Sequence, residues 1–347
     1  MSTTENNHTA ASIAADINQL DGVITADTND DDSAYETDDT QSDTTSIASS
    51  MYRGYIENGR RYQTLRDQYW GPADELQFET MEAGHLLYTI LDSGEENQLF
   101  RSPIGDNPQH ILDIGTGEGT WAIEVADKYP AATINGVDLY PPPATWVPPN
   151  CIFEVDDVTR DWTWRKPFDF IHLRMMIASF TPPEWDSVYT KAFNNLKPGG
   201  WIEQVETDIR VQCSDGSLPE DSLLTSWAET FFGCGDRAGR PLDIQSTMKA
   251  SMEKAGFVDV HEKVYQIPIG TWPKLHIYKD AGRVNRQQWK SGLDGWVLFL
   301  LTKFGAPSPW SPEEVMVYTA KVRAELMNPK YHTYHHARRV WAKKPEE

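Results

Sequence analysis

The chain has 347 residues with 31 Lys or Arg and 52 Asp or Glu, which gives a formal net charge of −21. Such an acidic chain lacks the basic footprint that binds nucleic acid, so we expect no nucleic-acid partner. The longest apolar run, residues 296–301, is far shorter than the about 20 residues of a membrane span, so we expect no membrane partner. The N-terminus has no signal-peptide core, and three scattered cysteines, Cys151, Cys213 and Cys234, predict a reducing compartment and a cytoplasmic protein.

Residues 1–50 contain eleven acids, no Lys or Arg, and few large apolar side chains. Such a segment cannot bury enough surface to offset the entropy lost on ordering, which predicts a disordered acidic tail. We interpret the tail as a solubilising segment; the alternative is a docking or phosphorylated arm around residues 33–36 and 42–50. The folded domain is predicted over residues 51–345.

Residues 51–105 are predicted to form a helical cap on the sheet that follows. Their apolar residues recur at near-helical spacing: Leu76, Met81, Leu86, Leu87, Ile90 and Leu91. Because aromatic rings shield a cation well, Tyr55 and Tyr62 are candidates to close over a cationic ligand. We interpret His85 as a packed or surface histidine.

The run His-Ile-Leu-Asp-Ile-Gly-Thr-Gly-Glu-Gly-Thr-Trp at residues 110–121 carries the strongest functional signal. It predicts a strand over 110–114, a glycine loop, and a helix over 121–128, which is how an open α/β sheet builds a binding crevice at its carboxyl edge. Gly115, Gly117 and Gly119 lack a Cβ atom, so a ligand can touch the backbone there.

Two ligands compete for this crevice. A dinucleotide site needs a third glycine at position 120, where this chain has Thr120, and Glu118 would repel a pyrophosphate. S-adenosylmethionine has no phosphate but carries a sulfonium, an ammonium, a carboxylate and an adenosine. Asp113, two residues before the first glycine, suits the ammonium.

Acids at the ends of the next two predicted strands decide between the two ligands. Asp138 and Leu139 end the strand at 133–138 and suit the ribose hydroxyls. Asp156, Asp157 and Val158 follow the strand at 152–155 and suit the adenine. The glycine loop with acids in this order predicts S-adenosylmethionine as cofactor, with a proline-rich loop over 140–149 at the same edge.

Strand and helix patterns continue to alternate towards the C-terminus, which predicts a Rossmann-like, parallel, doubly wound α/β sheet. The predicted elements are strands over 168–173, 201–211 and 256–264 and helices over 183–196, 222–232 and 244–255. An insert follows over about 270–330, and it is rich in aromatic residues: Trp272, Trp289, Trp296, Phe299, Phe304 and Trp310. They either pack the insert on the sheet or line a substrate pocket as a lid, and both can hold at once.

Five short runs resemble a known family. They are residues 57–62 (ENGRRY), 112–117 (LDIGTG), 168–174 (FDFIHLR), 196–203 (LKPGGWIE) and 340–345 (VWAKKP). The chain resembles class I methyltransferases, and within them the fungal LaeA-like family. The resemblance implies a seven-stranded sheet whose last strand, near 331–341, runs antiparallel, with a cofactor-binding core over 106–212 and the remaining core over 213–345. Glu118 departs from the family, which has a small or hydroxyl residue there, and we expect it to point outward.

Methyl transfer is an in-line displacement that depends on positioning, and it needs a general base only when the nucleophile carries a proton. We place the reacting face beyond the strand at 168–173, with His172, Arg174 and Glu203 as catalytic candidates. His172 would touch cofactor or nucleophile, Arg174 a substrate carboxylate or phosphate, and Glu203 would act as base. The alternatives are a core histidine and an ion pair of Arg174 with Glu203 or Glu206. No acid cluster suits magnesium and no His/Cys spacing suits zinc, so we expect no metal.

The sequence supports an S-adenosylmethionine-dependent methyltransferase that acts on a small-molecule acceptor in fungal secondary metabolism. The resemblance implies one alternative, a LaeA-like regulator of secondary-metabolite genes that acts through protein partners, with the nucleus as its location. A nicotinamide oxidoreductase is a third hypothesis, which Thr120 disfavours because it breaks the dinucleotide fingerprint.

Overall fold

The computed structural model describes residues 54–67 and 69–347, so the predicted tail over 1–50 lies outside the described residues. The strands of this part are β1 Tyr55–Glu57, β2 Arg60–Tyr62, β3 His110–Ile114, β4 Thr133–Asp138, β5 Cys151–Val155, β6 Phe168–Arg174, β7 Leu196–Thr207, β8 Gln212–Cys213, β9 Val258–Pro268 and β10 Thr333–Lys343. The α-helices are α1 Glu75–Leu91, α2 Thr120–Lys128, α3 Pro182–Asn195, α4 Leu223–Ala238, α5 Met248–Lys254, α6 His276–Phe304 and α7 Pro312–Leu326.

The main sheet of the described residues runs in the order β5-β4-β3-β6-β7-β10, and β10 also pairs with β9 and β8. Neighbours from β5 to β7 are parallel, whereas β10 is antiparallel to β7 and to β9. This confirms the predicted doubly wound sheet with an antiparallel last strand. The two-residue strand β8 is an addition to the predicted seven, and it pairs with Thr333 and Tyr334 at the start of β10.

The chain first builds β3, β4 and β5 in one direction and then returns to place β6 on the other side of β3. Adjacent crossovers diverge at such a switch point, which leaves a crevice beyond the carboxyl ends of the strands. The glycine loop of residues 115–119 joins β3 to α2 at this edge.

The segment before β3 differs from the predicted helical cap. Residues 55–62 form an antiparallel hairpin, and only Glu75–Leu91 forms a helix. Gly59, with a φ of 78°, takes the left-handed conformation in the turn of the hairpin. Asp74 caps α1 by accepting a bond from Gln77 N at 3.1 Å, and its carboxylate also pairs with Arg60 of β2 at 2.6 Å. That ion pair holds the hairpin against the helix, and the spacing of residues in the sequence does not predict it.

One helix of the insert, α7, shows the local chemistry that starts a helix. Ser311 accepts a bond from Glu314 N and the Glu314 carboxylate accepts from Ser311 N, with Pro312 in the first turn of α7. The predicted insert over 270–330 thus consists of α6 and α7. No helix of residues 54–67 and 69–347 is long and apolar enough to cross a membrane.

Apolar side chains cover both faces of the sheet. Trp121 and Val125 of α2 pack with Phe170 on one face, and α3, α4, α6 and α7 pack with Ile171 and Ile202 on the other. Leu87 and Tyr88 of α1 pack against β7, β9 and β10 together with Ala281 of α6. The cap helix and the insert therefore meet over the carboxyl side of the sheet.

A buried ionic cluster ties the end of α1 to the sheet. Arg339 of β10 bonds Asp92 at 2.8 Å and Glu203 of β7 at 2.5 Å, and all three side chains are at most 2% exposed. Tyr265 of β9 donates to Asp92 at 2.9 Å and accepts from Arg339 Nε at 3.0 Å. The cluster joins four elements through side chains that are almost fully buried. Removing any one of these side chains should lower the free energy of unfolding substantially.

Candidate active site

A cavity opens at the carboxyl ends of β3 to β6, between α1, α4 and α6. Its walls differ in chemistry from one end to the other. Acids line one end: Asp113, Glu118, Asp138, Asp156 and Asp157. Aromatic side chains line the other: Trp70, Phe180, Trp227, Phe231, Trp289 and Trp296.

The glycine loop has the open backbone that the sequence predicts. Gly115, Gly117 and Gly119 have φ values of 72°, 59° and 88°, which favour glycine. A Cβ on Gly115 would lie 2.3 Å from the Met176 sulfur, so a side chain there would clash. Gly115 and Gly117 line the cavity, whereas a Cβ on Gly119 would meet the Phe153 ring at 2.6 Å. Gly119 therefore serves the packing beneath the loop and does not line the cavity.

Asp138 lies at the end of β4 with its carboxylate held by the backbone. One oxygen accepts from Gly117 N at 2.8 Å, and the other accepts from Leu139 N at 2.7 Å. Burial raises the pKa of this carboxyl to about 6, although these backbone bonds act in the opposite direction. A carboxylate oxygen accepts more than one bond, so Asp138 retains capacity for ligand hydroxyl groups.

Asp156, Asp157 and Val158 line the cavity beyond β5. Asp157 is buried, and its carboxylate accepts from the backbone N and the hydroxyl of Thr159 at 2.9 and 2.7 Å. Asp156 is exposed at the rim and accepts from Asp157 N at 2.7 Å. The structure thus brings these three residues to the same cavity as Asp138 and Leu139.

Asp113 and His172 form a buried pair on neighbouring strands. The His172 Nδ1 atom lies 2.8 Å from the Asp113 carboxylate, and its ring stacks on Trp121 at 3.8 Å with an interplanar angle of 7°. Burial lowers the pKa of His172, with Asp113 acting in the opposite direction. We therefore assign a neutral ring that donates Nδ1–H to Asp113. Its Nε2 atom is buried and has no partner among the described residues.

Glu118 lines the cavity, so the expectation that it points outward is wrong. The residue is flanked by two glycines with left-handed φ values, and that local path is not visible in the glycine spacing. Burial raises the pKa of its carboxyl to about 7; Arg174 lowers it, whereas Asp113 and Asp138 raise it. The loop therefore adds a titratable acid to the polar end of the cavity.

Arg174 lines the cavity at the end of β6 and belongs to a chain of polar groups. One guanidinium nitrogen lies 3.1 Å from Nδ1 of the buried His85, whose Nε2 lies 3.1 Å from Glu124. Because arginine only donates, His85 must accept at Nδ1 and present Nε2–H to Glu124. The structure gives Arg174 this partner and not the ion pair with Glu203 or Glu206 that the sequence left open.

Glu203 lies in the Arg339 cluster and does not line the cavity, so the structure does not bring this candidate base to the site. Its second oxygen accepts from Arg101 N and Ser102 N at 2.8 and 2.9 Å. Glu206, two residues further along β7, accepts from Met176 N at 3.0 Å and so supports the loop after β6. Burial raises the pKa of Glu206 to about 7.

Tyr62 and Tyr55 do not reach the cavity. Their rings stack on each other at 5.4 Å, and Tyr62 also contacts Phe299 of α6 at 5.7 Å. Tyr69 and Trp70, which follow the hairpin, line the cavity instead, and Trp70 donates to Ile177 O at 2.8 Å. Burial raises the pKa of Tyr69 to about 12, with Asp138 acting in the same direction.

Sequence reasoning missed most of the aromatic end. The pair Tyr69-Trp70 was a usable signal, because loops held by a rigid scaffold often carry binding residues. Trp227 and Phe231 are four residues apart on α4, a spacing that equally describes a core-facing helix. Asn285 and His335, 50 residues apart, form a buried polar contact that only the fold creates.

Comparisons with known proteins identify the family. Residues 90–262 match a family described as Methyltransferase domain. The chain is 35% identical over 309 residues to Methyltransferase pytC of Aspergillus terreus, covering 88% of this chain and 93% of that protein. It is also 35% identical over 301 residues to Secondary metabolism regulator LAE1 of Cochliobolus heterostrophus, covering 84% and 95%. Protein-methionine methyltransferase laeA of Emericella nidulans is 31% identical over 294 residues, covering 83% and 76%.

Solved structures are more distant. Phosphoethanolamine N-methyltransferase 2 of Haemonchus contortus, in complex with S-adenosyl-L-methionine, is 15% identical with a TM-score of 0.41 and covers 76% of this chain and 57% of that chain. A similarity of this size carries no argument about the site.

The fold, the glycine loop and the family define an S-adenosylmethionine-dependent methyltransferase, with S-adenosylmethionine as its cofactor. The chain belongs to the methyltransferase family that includes fungal pytC and the LaeA and LAE1 regulators. The resemblance inferred from five short runs of sequence is therefore confirmed.

Proposed function

We propose that this methyltransferase transfers a methyl group to a small-molecule acceptor of fungal secondary metabolism. The observation that carries the proposal is the continuous cavity, which runs from an acidic end at the glycine loop to an aromatic end between α4 and α6. A cofactor with an adenosine and an ammonium suits the acids, and an apolar acceptor suits the aromatic rings. The relative named Methyltransferase pytC supports an enzymatic role.

The residues at the acidic end fit the cofactor. Asp138 is free to accept from the ribose hydroxyls, and Asp156 and Asp157 flank the position expected for the adenine. Asp113 and Glu118 supply negative charge for the ammonium, and Gly115 and Gly117 admit the ligand to the backbone. The cofactor supplies an electrophilic methyl group, and the protein's part is to orient the acceptor towards it and exclude water.

Two of the sequence candidates, His172 and Arg174, line the cavity. His172 has an unpartnered, buried Nε2 atom, which suits a hydrogen bond to cofactor or nucleophile. Arg174 keeps donors beyond the one that His85 accepts, and these suit an anionic group. We propose both as contact residues, and we assign no general base.

The acceptor can be found by comparing metabolites of the fungus with and without the gene. In the deletion strain we expect one compound that lacks a methyl group to accumulate, and purified protein with S-adenosylmethionine should convert it to the compound of the parent strain. If no extract of the deletion strain accepts a methyl group from the wild-type protein, the small-molecule proposal fails.

A second candidate is regulation through a protein partner, as the names of the relatives LAE1 and laeA, both called secondary metabolism regulators, suggest. In that case the deletion strain should lose whole groups of metabolites together with their transcripts. An Asp138→Ala protein should restore them if cofactor binding is dispensable. Restoration by this variant would favour the regulator, and failure to restore would favour the enzyme.

Cofactor affinity is expected to fall on acidification. The pKa values of Glu118 and Asp138 are raised to about 7 and about 6, so both acids are ionised above pH 7 and protonated well below 6. The ligand's ammonium and hydroxyl groups prefer the ionised forms, and each group should weaken binding by up to about tenfold per pH unit below its pKa. Calorimetric titration with S-adenosylhomocysteine between pH 8.5 and 5.5 measures this dependence.

The matched control for this pH dependence is Glu118→Gln. This variant should remove the change in S-adenosylhomocysteine affinity near pH 7. It should keep the change in affinity near pH 6, because Asp138 is intact. Affinity that does not vary over the whole range would show that neither carboxyl contacts the ligand in its ionised form.

A further inference from the structure

We propose that the aromatic end of the cavity is a chamber for a flat, largely apolar acceptor with a hydroxyl or N–H group that reaches Asn285. The inference rests on the proposed function, because it names the chemical class of the acceptor. We call this region the aromatic chamber; its walls are Trp70, Phe180, Trp227, Phe231, Trp289 and Trp296.

The walls offer ring surfaces at several angles. Trp289 lies edge-on to Trp296 at 5.5 Å and 83°, and it contacts Trp227 at 5.2 Å and 53°. Trp227 in turn contacts Phe231 at 4.4 Å. Rings held by one another lose little entropy when a ligand binds, and a flat ligand gains both stacking and edge contacts from them. A saturated, puckered ligand of the same size loses these contacts.

The walls of the aromatic chamber contribute no acidic side chain. The carboxylates that line the cavity belong to the ends of β3, β4 and β5 and to the glycine loop. None of the cavity residues on α4 or α6 is an Asp or Glu. A ligand at the aromatic end therefore meets ring surfaces and no carboxylate, which suits a largely apolar molecule.

One polar pair interrupts the apolar wall. Asn285 of α6 is fully buried; its Nδ2 donates to Pro268 O at 2.8 Å and lies 3.0 Å from His335 Nε2. His335 Nδ1 lies 3.4 Å from His336 O, so we assign the ring proton to Nδ1. Nε2 then accepts the second hydrogen of the Asn285 amide, and both amide hydrogens are used. Burial lowers the pKa of His335 to about 4, so the ring is neutral near pH 7.

The Asn285 Oδ1 atom is then left without a donor, because the His335 Nε2 atom, at 3.3 Å, presents a lone pair to it. A buried carbonyl oxygen that lacks a donor is unfavourable. Since Asn285 and His335 both line the cavity, an acceptor molecule with one O–H or N–H group satisfies it. The pair therefore selects a hydrogen-bond donor on an otherwise apolar ligand.

The experiment uses the full chain loaded with S-adenosylhomocysteine and three ligands, with binding measured by calorimetry. We expect 2-naphthol to bind at least about tenfold more tightly than decahydro-2-naphthol, which has the hydroxyl but not the flat rings. We expect it to bind at least about tenfold more tightly than 2-methoxynaphthalene, which has the rings but no donor. Equal binding of 2-naphthol and decahydro-2-naphthol would overturn the proposal.

Variants locate the binding in the aromatic chamber. Trp289→Leu should lower the affinity for 2-naphthol at least about tenfold and leave the affinity for S-adenosylhomocysteine unchanged. Trp272→Leu is the matched control, because Trp272 is 37% exposed and does not line the cavity. Trp296→Leu replaces Trp289→Leu if the latter fails to fold. Unchanged 2-naphthol affinity in the folded chamber variant would also overturn the proposal.

The outcomes separate this inference from the proposed function. If the wild-type protein does not bind S-adenosylhomocysteine, the cofactor assignment of the cavity fails. If it binds that ligand but shows no preference for 2-naphthol, only the aromatic chamber proposal fails, and a peptide or other acceptor is favoured.

Discussion

Replacing Asp138 with alanine is expected to weaken binding of S-adenosylhomocysteine at least about a hundredfold, because each hydrogen bond to a charged group contributes about 1.5–3 kcal/mol. The variant removes the carboxylate that we propose accepts from the ribose hydroxyls. It also removes the carboxylate oxygen that accepts from Gly117 N at 2.8 Å and so holds the glycine loop in place. Calorimetric titration at pH 8, where the wild-type carboxyl is ionised, measures the loss.

The control for the lost charge is Asp161→Ala, since Asp161 is exposed and does not line the cavity. A 2′,3′-dideoxy analogue of the ligand separates the ribose contact from the loop. If the ribose contact is real, Asp138→Ala should weaken the analogue less than it weakens the unmodified ligand, and the loss that remains for the analogue measures the effect on the loop. Wild-type affinity of the variant for the unmodified ligand would refute the assignment of Asp138.

Replacing Arg339 with methionine is expected to lower the free energy of unfolding by about 3–5 kcal/mol, the range found when one partner of a buried ion pair is removed. The side chain is 2% exposed. Its removal leaves the buried Glu203 without an ion-pair partner among the described residues, whereas Asp92 keeps Arg101 and Lys263. Methionine keeps much of the apolar volume of the arginine side chain. The loss in free energy of unfolding therefore measures the effect of removing the charge and not the effect of a cavity. Urea denaturation monitored by circular dichroism measures the difference.

Arg283→Met is the matched control for Arg339→Met. Arg283 also forms an arginine–carboxylate pair, with Asp280 at 2.6 Å, but its side chain is 60% exposed. An exposed pair contributes at most about 1 kcal/mol because water and salt screen it. If the free energy of unfolding falls by the same small amount in both variants, the Arg339 cluster does not stabilise the fold in the way that its burial implies.

The acidic end of the cavity was predictable because its residues follow strands. The sequence places Asp113, Asp138 and Asp156 beside the carboxyl ends of three successive strands, and parallel strands bring those ends to one edge. Periodicity and glycine spacing are local, and they determine which residues meet there. The confirmed prediction of the cofactor therefore rests on a short stretch of chain, residues 110–158.

Side-chain direction was not predictable from the same patterns. Glu203 was expected at the reacting face as a candidate base on the strand predicted over 201–211. It turns instead to the buried Arg339, because β10 lies beside β7 with Trp341 opposite Glu203 and Arg339 two residues away. Tyr62 was expected over the cofactor, yet the hairpin turns its ring towards Tyr55 and Phe299. Both errors concern contacts between segments that are distant in sequence.

The sheet, the glycine loop and the acids at the strand ends, and with them the cofactor, could be predicted from the sequence, because these features follow from backbone preferences over a few neighbouring residues. The tertiary structure alone decided the aromatic chamber, the Asn285–His335 pair and the partners of Arg174 and Glu203. Those contacts join helices and strands across up to 136 residues, as between Glu203 and Arg339. Packing energy selects them only once the whole core has assembled.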